Sequence, residues 1–274
     1  MTKYILPLSV SSDFEQGASN VSLDGSSFQV QFEEPIIIPN EAVNIYIKTT
    51  ESTVWWNFAN IKTNINDKLY ITYFDGLLNF PTIITLEEGL YSLHDLNDEV
   101  NRLLVNSGLP NEIITISGND STQKSHIIIN VLTPETVLID FTPSDSIRDI
   151  LGFNSQIIPA QSGIISISSD NLANFNSIDY LLIKSNIVSR GLRFNNTYKS
   201  IIAQILIDVE VGQQIKYREF NPPSIPCNEL QGTHLSNLTF TLTDQSDNPV
   251  DTRGEIWTCR FEIHYTIPVV PEIH

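Results

Sequence analysis

In residues 236–267, SNLTFTLTDQSDNPVDTRGEIWTCRFEIHYTI, two runs of alternating residues flank a polar connector. Trp257, Cys259, Phe261, Ile263, Tyr265 and Ile267 fall on one side of the second run. Thr258, Arg260, Glu262, His264 and Thr266 fall on the other. In the first run Leu238, Phe240 and Leu242 alternate with Thr239, Thr241 and Thr243. Successive strand side chains point to opposite faces, so a period of two means strands with one buried face. The connector, residues 244–254, is rich in Asp, Asn, Pro and Gly, the residues that turn a backbone. A long antiparallel hairpin therefore closes the chain, and it commits that region to an all-β architecture.

The same alternation recurs upstream. Residues 1–25 read as an arm, polar and rich in Gly and Ser after a short apolar start. It either folds onto the domain or reaches a neighbour. Phe28, Val30 and Phe32 mark a first strand, which Pro35 interrupts, because a central strand tolerates proline poorly. Val43, Ile45 and Ile47 mark a second, and residues 54–58, VWWNF, a short aromatic third. After Asn171, strands are expected at 179–188, at 201–211 on the apolar positions Ile201 to Val211, and at 213–220. Gly212 makes the turn between the last two, and the proline-rich segment 221–233 is a loop.

The middle of the chain has a different character. Strand-like runs at 69–74, 82–86, 113–116, 125–132 and 136–141 surround one convincing helix. Ser92 is its N-cap with Asp95 as capping-box partner, and Leu93, Leu96, Val100, Leu103 and Leu104 form one stripe. Gly108 ends it, and a short helical turn at 146–151 stops at Gly152. Residues 59–172 thus read as an α+β unit inserted into a β-domain made of residues 1–58 and 173–274. Three strands before the block and five after it make about eight, the number in a jelly roll. Lettered B to I, the strands place the insertion between D and E.

The closing hairpin also carries a resemblance. Apolar–Thr alternation, Thr-Asp, an Asn/Asp/Pro turn, Val-Asp, a Gly and then Trp with an alternating strand resembles the last two strands of small-virus capsid proteins. It is most similar to the penton, or minor capsid, proteins of virophages and polinton-like viruses. Within the insertion, ITLEEGLYSLHDLNDEVNRLL and SIRDILGF are similar to such proteins too. The resemblance implies a virion structural protein, a homopentamer at icosahedral vertices that touches the major capsid protein and is assembled in the host cytoplasm. The inserted unit would crown one end of the jelly roll and face outward, where a host or giant-virus surface is an open candidate partner.

Charge narrows the classes further. The formal net charge is −17, with 15 Lys and Arg against 32 Asp and Glu. No basic stripe exists to neutralise phosphates, so direct nucleic-acid binding is not expected. No apolar run is long enough to span a bilayer, and the first residues, MTKYILPLSVSSDFEQG, lack the apolar core of a signal peptide. On that reading the glycosylation-type triplets at Asn20, Asn119, Asn195 and Asn237 carry no meaning. Two cysteines, Cys227 and Cys259, do not make a disulfide scaffold; free buried thiols are expected, with a Cys227–Cys259 bridge left open.

A search for chemistry finds little. His94, His126, His234, His264 and His274 lie far apart, so no zinc or iron motif forms; His264 is expected to be a solvated or interface side chain. The acidic turn at 244–251 does not match a calcium loop. Asp208 and Glu210 are expected on the polar face of one strand, where a solvated or intersubunit role outweighs a glycosidase pair. No nucleophile or phosphate-binding motif is present. No enzyme, no metal and no cofactor is therefore expected.

The candidate subunit-interface residues are Trp55, Trp56, Phe220, Pro222 and Pro223. Adjacent tryptophans in a strand face opposite sides, so one enters the core and the other is exposed or covered. The alternative function is a carbohydrate- or receptor-binding jelly roll, of the fibre or lectin kind, with exposed aromatics and the acidic turn as its site.

Overall fold

Three long strands come first in chain order, β1 (Thr2–Ser11), β2 (Ser27–Ile37) and β3 (Val43–Trp55), with the two-residue strand Ala18–Ser19 pairing against β2. A middle segment follows with β4 (Lys68–Phe74), β5 (Asn79–Thr85), α1 (Leu93–Asn106), β6 (Ile114–Asn119), β7 (Lys124–Val131) and β8 (Thr136–Asp140). It ends with α2 (Arg148–Leu151), β9 (Ile157–Gln161) and β10 (Gly163–Ser168). Among the described residues, five strands longer than two residues complete the chain: β11 (Tyr180–Ser185), β12 (Ile201–Leu206), β13 (Gln214–Arg218), β14 (His234–Thr243) and β15 (Thr258–Ile267). This computed structural model describes every residue except Asp120, Asn176, Ser177, Asn195, Val211 and 269–274. The expectations for Asn195, Val211 and His274 lie outside the described residues.

The chain divides into two units, one made of Met1–Phe58 with Ile178–His274 and the other of Ala59–Ser177. In the first, one sheet runs β1-β15-β3-β13 and the other β12-β11-β14-β2, all antiparallel. In jelly-roll lettering the first sheet is B-I-D-G and the second F-E-H-C, a complete eight-stranded jelly roll. The inserted unit leaves the chain between D and E.

The identity of the first strands differs from the sequence expectation. The supposed arm is strand B: β1 pairs with β15 from Thr2↔Ile267 to Ser11↔Thr258 without a break. The two expected strands at 43–47 and 54–58 are one long strand, β3. Its inward residues are Ile45, Ile47 and Thr49 at first, then Ser52 and Val54. The switch occurs where Arg260 faces Glu51 and Phe261 faces Thr49, a bulge at Thr50. One extra residue reverses the alternation, which in sequence looks like a strand break.

Proline positions follow from the same ladder logic. The Ser12 N–H donates to the Trp257 carbonyl, so even-numbered β1 residues turn their backbone groups toward β15. Pro7 is odd-numbered, and its missing N–H falls on the open edge, where it costs no bond. Pro35 does not end β2. It lies where the pairing slips, between Gln31↔Asn237 and Ile36↔Leu235.

The closing hairpin supplies the centre of the core. Trp257, Phe261, Phe240 and Phe28 are fully buried. Phe28 meets Trp257 edge-on with centroids 4.9 Å apart and stacks on Phe240 at 5.4 Å. Aromatic groups of this size give the largest burial per residue. Between the sheets, the buried Thr49 Oγ1 donates to the Ile202 carbonyl at 2.9 Å.

The inserted unit has its own core. One sheet runs β9-β8-β4-β5 and the other β10-β7-β6. Leu96, Val100 and Leu104 of α1 pack with Ile71, Ile127, Ile129 and Ile139. Ser92 and Asp95 form the capping box, and Gly108 sits at φ 79° beyond the helix end. A cap of this kind is worth about 1 kcal/mol.

Candidate functional site

The five residues singled out from sequence separate into two groups. Trp55 and Trp56 end β3, and the pleat sends them to opposite faces. Trp56 is 4% exposed and meets Phe58 edge-on at 5.7 Å. Its N–H donates to the Gln213 carbonyl, and its carbonyl accepts from Gly212 N–H. Trp56 is a core residue, and its side chain is closed to a partner. Trp55 is 37% exposed on the outer side of its sheet, opposite Gln214 of β13. Phe220, just beyond β13, is fully exposed. Pro222 is half-buried and Pro223 exposed.

Phe220 and Pro223 border two depressions. The larger, about 550 Å³, lies between the open edge strands β12 and β13. Ala203, Ile205, Leu206, Ile215, Tyr217 and Pro223 are among its lining residues, with Lys216 and Arg218 on one rim and Asp208 and Glu219 also present. It exists because F and G are the edge strands of their sheets, with Leu192 N–H donating to the Ile201 carbonyl beside F. The Tyr217 hydroxyl donates to Glu219 Oε2. Burial pushes the Tyr217 phenol well above its usual range, and the Glu219 carboxylate adds to the effect. The second depression, about 480 Å³, is lined by Glu51, Arg218, Phe220, Arg260 and Glu262. Glu51 sits 3.3 Å from Arg218 and 3.8 Å from Arg260 there.

A third surface lies on the opposite flank. The connection after β1 and the connection before β15 form an apolar patch around a hollow of about 280 Å³, including Phe14, Val21, Leu23 and Ile256. Leu23 is fully exposed and Phe14 is 65% exposed. Sequence reasoning passed over Phe14, Leu23, Ile256 and Leu206. An isolated apolar residue in a polar stretch, such as Leu23 in SLDGSS, was the only signal available.

No protein-family model matches this chain, and no curated protein matches it. Among solved structures, the chain is similar to the crystal structure of selenomethionine-labelled mavirus penton protein. Sequence identity is 13% and the TM-score 0.48, over 97% of this chain and 100% of that one.

Several other polar groups singled out from sequence have structural partners. In the acidic turn, Asp244 Oδ1 accepts from the Ser246 and Asn248 N–H groups. Asp247 takes Lys184 at 3.0 Å and Lys199, and the lysines hold its carboxyl below the usual carboxylate range. Asp208 and Glu210 do not share a strand face, because β12 ends at Leu206 and both lie in the following connection. His264 is half-buried. It stacks on Tyr46 at 4.8 Å, and its Nε2 lies 2.8 Å from Glu262 Oε2. Cys227 and Cys259 are free and buried, so no bridge joins them. Among the described residues, no group of three or more His, Cys, Asp or Glu is placed to hold a metal ion. Among the described residues, no helix is long and apolar enough to cross a membrane.

Proposed function

We propose that this chain is a structural capsid subunit, a homopentameric penton at the vertices of an icosahedral virion. One observation carries the reading. The hairpin whose sequence resembles virophage-type pentons forms strands H and I of a complete jelly roll, and an α+β unit leaves that jelly roll between D and E. The mechanism is assembly. Cyclic symmetry makes each contact heterologous, and fivefold rotation closes the ring. Major capsid proteins are the proposed outer neighbours. The inserted unit is the proposed outward element and the part that would meet a host or giant-virus surface.

The test is the absolute mass of the purified chain by light scattering, together with negative-stain class averages. Five copies of the 30.8 kDa chain in a fivefold ring are expected. A trimer would replace the vertex role with another virion position. A monomer at high concentration would overturn self-assembly.

A further inference from the structure

Three connections of the inserted unit meet at one end of its two sheets. The β4–β5 turn, residues 75–78, follows Phe74, and Phe74 is opposite Thr136 at the start of β8. The β7–β8 turn, residues 132–135, is therefore its neighbour. Gly163 is opposite Val131 at the end of β7, which brings the β9–β10 turn to the same end. Side-chain contacts agree with the register. A Cβ on Gly76 would lie 2.8 Å from Pro134 Cγ, and the hydroxyls of Thr133 and Ser162 are 3.1 Å apart.

This tip carries large apolar side chains in the open. Leu77 is 86% exposed, Leu78 63%, Leu132 80%, Ile164 80% and Phe80 40%. Exposure this high belongs to side chains that stand clear of the surface. Single residues of this kind are ordinary, but a group of them marks a contact with protein or with lipid.

The backbone of the tip tells the two apart. In the first turn the Leu77 and Leu78 N–H groups donate to Asp75 Oδ1 at 2.7 and 2.8 Å, and the Leu78 carbonyl accepts the Asp75 N–H. The second turn repeats the device. The Leu132 N–H donates to Glu135 Oε2 at 3.3 Å, and the Leu132 carbonyl accepts the Glu135 N–H at 2.7 Å. Each turn pairs these polar groups internally and turns its leucine side chains outward. Hydrocarbon demands this, because it offers no partner to a backbone group. A protein partner rewards the opposite, since its contacts include direct hydrogen bonds around the apolar centre. Charge then selects the lipid. Residues 75–80, 130–136 and 160–164 contain Asp75 and Glu135 and no Lys or Arg. Nothing in these segments attracts an anionic headgroup, so a zwitterionic surface fits best.

We propose that this tip is a lipid-docking surface. Leu77, Leu78 and Leu132, flanked by Phe80 and Ile164, enter the outer layer of a zwitterionic bilayer. The insertion is shallow, because ionised Asp75 and Glu135 are costly in hydrocarbon and stop at the headgroups. This rests on the reading of the inserted unit as the part that meets a host or giant-virus surface, and it names the chemistry of that surface.

The test floats the full-length chain with phosphatidylcholine vesicles in a density gradient. Wild type should rise with the vesicles. High salt should not release it, because apolar contact is not screened, and adding phosphatidylserine should weaken it. L77D and L132D should each bind at least about tenfold more weakly, the worth of one buried leucine. I65D places the same charge near the other end of β4, where Ile65 is 61% exposed, and should float like wild type. Thermal melts check each fold, and L78D and I164D replace a first variant that fails to fold. Wild type that stays at the bottom overturns the lipid assignment. Dimers that L77D splits, without flotation, would make the tip a contact between copies instead. Release by salt, or an equal loss in I65D, overturns apolar docking through the tip. The mass of the assembly is measured without vesicles, so a fivefold ring that does not float loses this proposal and keeps the capsid reading.

Discussion

The Asn60 side chain donates to the Phe175 carbonyl at 3.0 Å, although 115 residues separate them in sequence. The same side chain donates to the Tyr91 carbonyl at 2.8 Å and accepts the Tyr91 N–H at 2.9 Å. One buried amide thus ties the entry and exit of the inserted unit together. Closing such a gap takes little chain. Replacing residues 60–175 by a short Gly/Ser linker should leave a jelly roll that melts cooperatively, because its core lies wholly in the other segments. Loss of the cooperative melt would show that the jelly roll depends on its insertion.

Trp257 is held at both ends. Its indole Nε1–H donates to the Gly25 carbonyl at 3.0 Å, and its backbone N–H donates to Ser12 Oγ at 3.0 Å. Trp257→Phe keeps an aromatic ring but leaves the Gly25 carbonyl unpaired and a small void. It should cost about 2 kcal/mol. Trp55→Phe, on the surface, should stay within about 0.5 kcal/mol. Denaturant midpoints at constant m-value give both numbers, and equal losses would contradict the core assignment.

Gly25 has φ +67°, and a Cβ placed there would lie 2.1 Å from Thr252 Oγ1. Gly25→Ala should therefore destabilise by more than about 1 kcal/mol, from the left-handed backbone and the clash together. Thr252→Ala in the same chain relieves the clash but not the backbone term, so rescue should be partial. Full rescue would assign the whole cost to the side-chain contact.

Burial pushes the Cys259 thiol from its ordinary 9.0 up to about 12. Between pH 9 and 12 the folded chain therefore holds a proton that the unfolded chain has released. Stability from this group is complete below pH 9 and is lost as pH rises toward 12. The stability gap between wild type and Cys259→Ala should accordingly narrow from pH 8 to pH 10.5, as read from urea titrations. A constant gap would mean that the thiol is not shielded. Ellman's reagent should not react with Cys259 in the folded chain at pH 8 and should react on unfolding.

Asp247 joins Lys184 and Lys199 across the turn after β14, which lowers its carboxyl. That contribution is present at neutral pH and disappears as pH falls below the ordinary 3.8 toward the lowered value. Its side chain is partly solvated, so Asp247→Asn should cost about 1 kcal/mol or less near pH 7. It should cost nothing near pH 2. A loss that persists at low pH would point to turn geometry instead of charge.

Regular alternation was legible in sequence wherever one face of a strand is buried and the other wet. The closing hairpin, the second strand at Phe28–Phe32 and the capped α1 helix were all read from local pattern. Strand B was missed because β1 is an edge strand. Its residues Thr2–Leu8 are half-buried or exposed, so the alternation carries little contrast. Strand D was split because a bulge reverses the phase of its apolar positions. β9 and β10 were missed for a related reason: their outer residues, such as Ile157 and Ile164, are exposed and apolar, so polarity does not mark the faces.

The candidate surfaces were less legible than the strands. Phe220 was visible as an aromatic residue beside prolines, and the Trp55–Trp56 pair required that one ring face out. Which tryptophan turned inward depended on the bulge at Thr50, a backbone feature that local pattern does not encode. Phe14, Leu23 and Ile256 lie far apart in sequence, and only the meeting of two connections makes them one patch.

By itself the sequence determined the all-β class, the closing hairpin, the capped helix and the position of an α+β insertion. Each depends on periodicity within a few residues, because burial of one face imposes that period locally. The tertiary structure decided which strand lies at each sheet edge, where bulges change the facing of side chains, and which exposed apolar groups share a flank. Those depend on register between segments up to 265 residues apart, as in Thr2↔Ile267, and no short-range pattern carries that information.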